Sequence, residues 1–224
     1  MRSEHLTISR HRGARCIRAR VSPEGIRVTA PVRTPAAAID LFVQTHWDHL
    51  QQTFEELSRH MRHITWEPGS QVPYLGQWYE LERSCGACLR GSVGIRAEKL
   101  VVIPALGGNR SLGEQVAAWY RQQAKSHIFG RCSHYAREMG VSYEAIRVKD
   151  QSTRWGSCSS RGNLNFNWKL VTMPPFVLDY VVVHELAHRR HLNHGAEFWT
   201  LVQRHSSRVE EARAYLKSYN LVFA

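Results

Sequence analysis

The sequence predicts an α+β protein, with an N-terminal lobe rich in antiparallel β-structure over residues 1–104 and a helical lobe over residues 105–224. Three observations carry this reading. Over the first lobe, short runs alternate apolar and polar residues, the two-residue period of half-buried strands. From Ser111 onward the apolar residues recur every three to four positions, the period of helices with one buried face. Between the two lies Pro104 to Asn109, where Gly107-Gly108 supplies a turn-forming boundary.

Taken in order, Cys16-Ile17-Arg18-Ala19-Arg20-Val21 alternates apolar and other residues, Pro23-Glu24-Gly25 offers turn chemistry, and Ile26-Arg27-Val28-Thr29-Ala30 alternates again. That pattern predicts a hairpin with one buried face. Its arginines fall on the solvated face, the ordinary place for charge on an antiparallel sheet, with a nucleic-acid stripe as the alternative. A helix is expected over residues 36–61, with Ile39, Phe42, Val43, Trp47, Leu50, Phe54 and Leu57 as its core stripe. His46, His49, His60 and His63 lie on or beside it without a partner at chelating spacing, and read as surface or packing residues.

After Glu67-Pro68-Gly69, short strands are expected at Tyr74 to Glu82, Val93 to Ala97 and Leu100 to Ile103. Ser111 to Phe129 reads as one helix and Cys132 to Met139 as a second piece ending at Gly140, with a strand beginning at Ile146 to Lys149. Leu164 to Leu170 alternates strictly, which places Asn165, Asn167 and Lys169 on a polar face.

Composition narrows the class. An apolar content of 43% and a charged content of 22% are ordinary for a globular chain and argue against disorder. No apolar stretch approaches membrane-spanning length and none of signal-peptide character follows Met1, so a protein of the cytoplasm is expected. Five scattered cysteines, Cys16, Cys85, Cys88, Cys132 and Cys158, form an odd set that suits reduced thiols better than a disulfide framework. The formal charge of +11 would attract acidic or phosphate-rich partners. More than half of that surplus lies in residues 1–35, where eight arginines face two glutamates.

The chemistry concentrates in Val181-Val182-Val183-His184-Glu185-Leu186-Ala187-His188. Four residues are slightly more than one helical turn, so His184 and His188 project from one face and can share a cation, with Glu185 beside them but not between them. Catalytic zinc takes three protein ligands and leaves a position for water. His194 supplies the third ligand if the helix ends near Leu192-Asn193 and the chain turns back; Glu197, Glu210 and Glu211 are the alternatives. Pro174-Pro175 suits the start of this helix. Such a site would use a zinc-activated water, with Glu185 as general base and then proton donor to the leaving group. Arg154, Tyr180 and His191 are candidates for stabilising the oxyanion.

Upstream, Arg154, Asn165 and Tyr180 are the expected substrate contacts, and the strand from Leu164 would border the cleft and pair with an extended peptide. Cys158 reads as a small packed thiol rather than a nucleophile. The isolated Cys85/Cys88 pair lacks the second pair of a structural zinc site.

Together, Arg154-Trp155-Gly156-Ser157-Cys158, the Asn-rich strand, the segment Asp179 to His188, Asn193-His194 and Phe198-Trp199 resemble the YgjP-like metal-dependent hydrolases, zincin-like proteins akin to SprT-type and WLM-type metallopeptidases. The Arg-rich opening hairpin, Ala30-Pro31, Phe42-Val43 with Trp47, and Tyr74-Leu75-Gly76 extend the likeness. The resemblance implies a minimal zincin-like helical lobe with an HExxH active-site helix, zinc on His184, His188 and His194, Glu185 as catalyst, and a peptide or protein substrate. Two other functions are weighed beside the peptidase. One is hydrolysis of nucleotide phosphoanhydrides, against which the lack of a phosphate-cradling Gly-rich loop counts. The other is a basic nucleic-acid-binding module with a non-catalytic zinc, for which Glu185 would have no use.

Overall fold

The computed structural model describes residues 5–22, 25–59, 61–86, 89, 91–151 and 154–223. It is a mixed α+β structure with, among these residues, five α-helices and four small sheets. None of the helices is long and apolar enough to cross a membrane. The chain forms two compact units, one of residues 1–64 with 220–224 and one of residues 65–219. The contacts thus divide the chain at residue 64, whereas the change of sequence pattern falls at 104.

In the first unit, β1 (Leu6–His11), β2 (Arg18–Ser22) and β3 (Gly25–Pro31) form a sheet in the order β1-β3-β2. The expected hairpin is β2–β3, paired antiparallel; its turn residues Pro23 and Glu24 lie outside the described residues. The sheet is not wholly antiparallel, because β1 joins β3 in parallel. Alternation puts Ile8, Val28 and Ala19 on the face that packs with α1 (Ala36–Arg59). Of the expected stripe on α1, Ile39 and Leu50 are buried, Phe42, Val43, Trp47 and Phe54 are half-buried, and Leu57 is exposed. A single small sheet covers only part of so long a helix. His46 stacks on Phe42, consistent with a packing role, while His60 lies outside the described residues. The unit closes with β4 (Arg62–Ile64), parallel to the C-terminal β12 (Leu221–Phe223).

The second unit opens with a four-stranded sheet of β5 (Gln71–Tyr74), β6 (Gln77–Arg83), β7 (Ser92–Arg96) and β8 (Lys99–Ile103), in the order β5-β6-β8-β7. The run from Tyr74 to Glu82 is two strands, divided at Leu75 and Gly76, both with positive φ. Glycine at 76 meets two demands, since a Cβ there would also stand 2.9 Å from Pro174. Cys88, and with it the Cys85/Cys88 pair, lies outside the described residues.

Helix α2 (Leu112–Met139) is continuous where two pieces were expected. Gly130 weakens a helix by about 1 kcal/mol relative to alanine but removes no backbone hydrogen bond, so it does not break one held by packing. The start is fixed by a reciprocal capping box between Ser111 and Glu114, and the end by Gly140 in the left-handed conformation.

Strands β9 (Ala145–Lys149), β10 (Gly156–Cys158) and β11 (Asn163–Asn167) form a sheet in the order β10-β11-β9. The alternation expected through Leu170 stops at Asn167, which caps a 3-10 turn over Trp168–Thr172. Its side chain is buried rather than solvent-facing, accepting from the Lys169 amide and donating to the Gln151 carbonyl. The turn leads into α3 (Pro175–Ala187), followed by α4 (Ala196–His205) and α5 (Val209–Ser218). Val177, Leu178, Tyr180 to Val183, Leu186 and Ala187 are all buried, so α3 is apolar on nearly every side and runs through the core. Arg131 on α2 ties to it with two charge-assisted bonds to Asp179, 2.6 and 2.9 Å long.

Candidate metal centre

A buried helix that carries polar side chains at its C-terminal end holds them in place without spending their own contacts on stability, because its apolar residues do that. On α3 those side chains are His184 and Glu185, and His188 is the capping residue at the helix end. The helix therefore stops at Ala187, earlier than the expected Leu192-Asn193, and tight turns through Arg190 begin the return. The early stop leaves enough chain to bring His194 back over the last turn of α3.

The nitrogens of His184, His188 and His194 available as ligands all lie within 4.8 Å of one another. The Nε2 atoms of His184 and His194 are 3.2 Å apart, and the three ring centroids are separated by 4.8 to 5.1 Å. Phe198 on α4, itself buried, lies beneath all three rings with centroids 4.7 to 5.0 Å away. His188 Nδ1 lies 3.2 Å from the His191 carbonyl; donation to that oxygen orients the ring and leaves Nε2 for a ligand. His194 is exposed, so the cluster opens to solvent on that side.

The electrostatics suit a cation. Burial first, then the imidazoles of His188 and His194 and the charge of Arg213, lower His184 to about 4. It is neutral at physiological pH, the form that ligates. Burial likewise pushes the Glu185 carboxyl up to about 7, with Arg154 pulling it partway back. A cation held by the three imidazoles would lower it further.

The glutamates weighed as third ligands are not in this cluster: Glu197 lies beside His191, Glu210 beside Arg213 and Glu211 beside Arg208. Of the expected substrate contacts, Tyr180 is buried with its ring 5.8 Å from that of His184, and Arg154 is exposed and acts on Glu185 through its charge. Asn165 donates to Ser157 Oγ across the β10–β11 pair. Burial raises the Cys158 thiol, as befits a packed side chain rather than a nucleophile.

Two contributors are invisible to spacing rules. Arg213 on α5 lies over Trp199, 5.1 Å from its ring centroid. Gly156 on β10 is pressed against the Glu185 side chain, where a Cβ would come within 2.6 Å of Oε1 and 2.7 Å of Cγ. Glu185 is only 6% exposed and has little room to retreat. Gly156→Ala is therefore expected to displace that carboxylate and to destabilise the fold by about 1–3 kcal/mol, which denaturant unfolding of the two proteins would measure.

Three imidazoles and a buried carboxylate on one helix and its return loop define a centre able to hold a single metal ion. Residues 15–219 match the YgjP-like metallopeptidase domain, and the chain belongs to the YgjP-like family. Among solved structures, the chain is similar to the metallopeptidase zymogen abylysin of Pyrococcus abyssi, at 19% identity and a TM-score of 0.36 over 42% of this chain and 99% of that one. It is also similar to the metallopeptidase zymogen jannalysin of Methanocaldococcus jannaschii, at 20% identity and a TM-score of 0.37 over 40% of this chain and 93% of that one. No curated protein matches significantly.

Proposed function

We propose that this chain is a zinc-dependent metallopeptidase in which His184, His188 and His194 hold the metal and Glu185 is the general base. Family membership supports a metal-dependent hydrolase acting on peptide bonds. The observation that carries the finer reading is the convergence of three imidazoles around one point, two of them, His184 and His188, pushed toward the neutral form by burial, with a buried carboxylate on the adjoining residue.

The donor set fits zinc. Three nitrogens and no thiolate or carboxylate among the ligands is a set found in catalytic zinc sites, and it falls one short of the four ligands of a structural site. When bound, zinc would polarise the scissile carbonyl and acidify water. Glu185 then does the proton work. With a cation beside it favouring the ionised form, the carboxylate would take a proton from the attacking water and return it to the leaving amine, and its burial keeps bulk solvent from competing. Tyr180 and Arg154 are the side chains we assign to orienting the substrate, and His191, held by Glu197, borders the site.

The peptide is assigned to β10. The sequence suggested the strand beginning at Leu164, but β11 is paired on both sides, by β10 and by β9, and has no free edge. Strand β10 is the edge of its sheet and carries Gly156 against Glu185, so an extended chain adding to it would pass the base. All of these elements lie within residues 105–224, the lobe proposed to carry catalysis. A reducing compartment such as the cytoplasm is our proposal for the chain, from its odd and scattered set of five cysteines.

Incubating the zinc-loaded chain with an unfolded protein and, separately, with nucleoside triphosphates tests the substrate class. Cleavage of the polypeptide alone is expected; release of pyrophosphate without peptide cleavage would replace this reading with phosphoanhydride hydrolysis.

A further inference from the structure

The charge surplus of the N-terminal sheet is organised. The strand registers set Arg20 directly opposite Arg27, with Thr7 beyond it, and Arg18 opposite Thr29, with Ser9 beyond that. By alternation these six residues share one face, opposite the Ile8, Val28 and Ala19 face that packs with α1. Arg18, Arg20, Arg27 and Thr7 are exposed, and Ser9 and Thr29 lie within hydrogen-bonding distance of each other. Arg10 is not part of the set, since its guanidinium donates to the carbonyls of Val32 and Thr34.

Like charges directly opposite in a strand pair oppose folding. Residues 5–22 and 25–35 contain seven arginines and no Asp or Glu that would relieve the repulsion. A face that, among the described residues, places guanidiniums side by side without a carboxylate is complementary to a polyanion. The face offers mainly guanidiniums and hydroxyls, with His11 and Pro31 at its far end, and no large apolar side chain to insert into a bilayer or to form the dry centre of a protein interface. Arginine with Ser and Thr hydroxyls is the donor set used on phosphodiesters. Apart from the His11 imidazole at one end, the described strands carry no aromatic ring to stack bases, so sequence would not be read.

We propose that the open face of the β1-β3-β2 sheet, through Arg18, Arg20 and Arg27, binds the sugar–phosphate backbone of single-stranded nucleic acid. Three guanidiniums on a short, open sheet suit a few phosphates of one strand, and no helix leaves this face to enter a duplex groove.

Fluorescence anisotropy of a labelled oligothymidylate with the full-length chain, over a range of salt, tests this. Three neutralised phosphates predict a slope of log affinity against log salt near −2, from about −0.7 per phosphate. Arg20→Gln with Arg27→Gln should weaken binding at low salt at least tenfold, bring the slope near −0.7 and leave the melting temperature no lower. Arg20→Lys with Arg27→Lys, which keeps the charge, should retain the slope and guards against a folding defect. The charge-matched control Arg121→Gln with Lys125→Gln, exposed on α2, should bind as the parent does. Salt-independent or absent binding, or equal loss in the control, would overturn the proposal. So would tighter binding of a duplex of the same length, or equally effective competition by polyglutamate or by phosphatidylserine vesicles.

Discussion

Replacing Glu185 by Gln is expected to leave the metal content of the protein intact and to lower kcat by about 10²- to 10⁴-fold, the range that general acid–base groups contribute. The geometry makes the substitution clean. Gln is nearly isosteric with Glu, so the approach of Gly156 to the side chain is preserved, and residue 185 is outside the imidazole cluster, so ligation is preserved too. What disappears is the ability to accept a proton. Because the carboxyl is buried and sits near neutrality without metal, the neutral amide also removes the cost of an ionised group there. The metal-free variant should therefore fold at least as stably as the parent above pH 7. Loss of activity then marks loss of the base rather than of the fold, and unimpaired turnover of a peptide substrate would remove Glu185 from its role.

The second large effect is expected at His194. Unlike His184 within α3 and His188 at its cap, it is carried by no part of that helix; it reaches the cluster through the return loop after α3 and its contacts with Phe198 and Trp199. Substituting Ala removes one of three nitrogen donors while leaving α3 and its buried face untouched. Even loss of an outer partner of a ligand weakens metal binding by about 10- to 100-fold, so loss of the ligand itself should exceed that, with peptidase activity falling to background at limiting metal. Since His194 is exposed, its removal should cost little global stability.

How much of this was legible in the sequence depended on the range over which each feature acts. Proximity of His184 and His188 follows from helical spacing alone, and α1 and the β2–β3 hairpin follow from periodicity and turn residues. Features fixed by distant chain segments were not legible. Strand β1 has only Leu6 and Ile8 to mark it, and β4 pairs with β12 from the opposite end of the chain. Leu164 to Leu170 kept the strand period, yet the Asn167 side chain captures the Lys169 amide and turns the chain into a 3-10 coil, a local competition that alternation cannot reveal. The division expected between Phe129 and Cys132 is absent, because packing carries α2 through Gly130 unbroken. Gly156 and Arg213 reach the site through folding, and spacing from the histidines gives no sign of either.

The central claim is that three imidazoles hold one ion, and metal stoichiometry tests it most directly. After loading with zinc and dialysis against a weak chelator, elemental analysis should find one zinc per chain in the parent and in Glu185→Gln, and almost none in His194→Ala. Equal zinc in all three proteins would contradict the account.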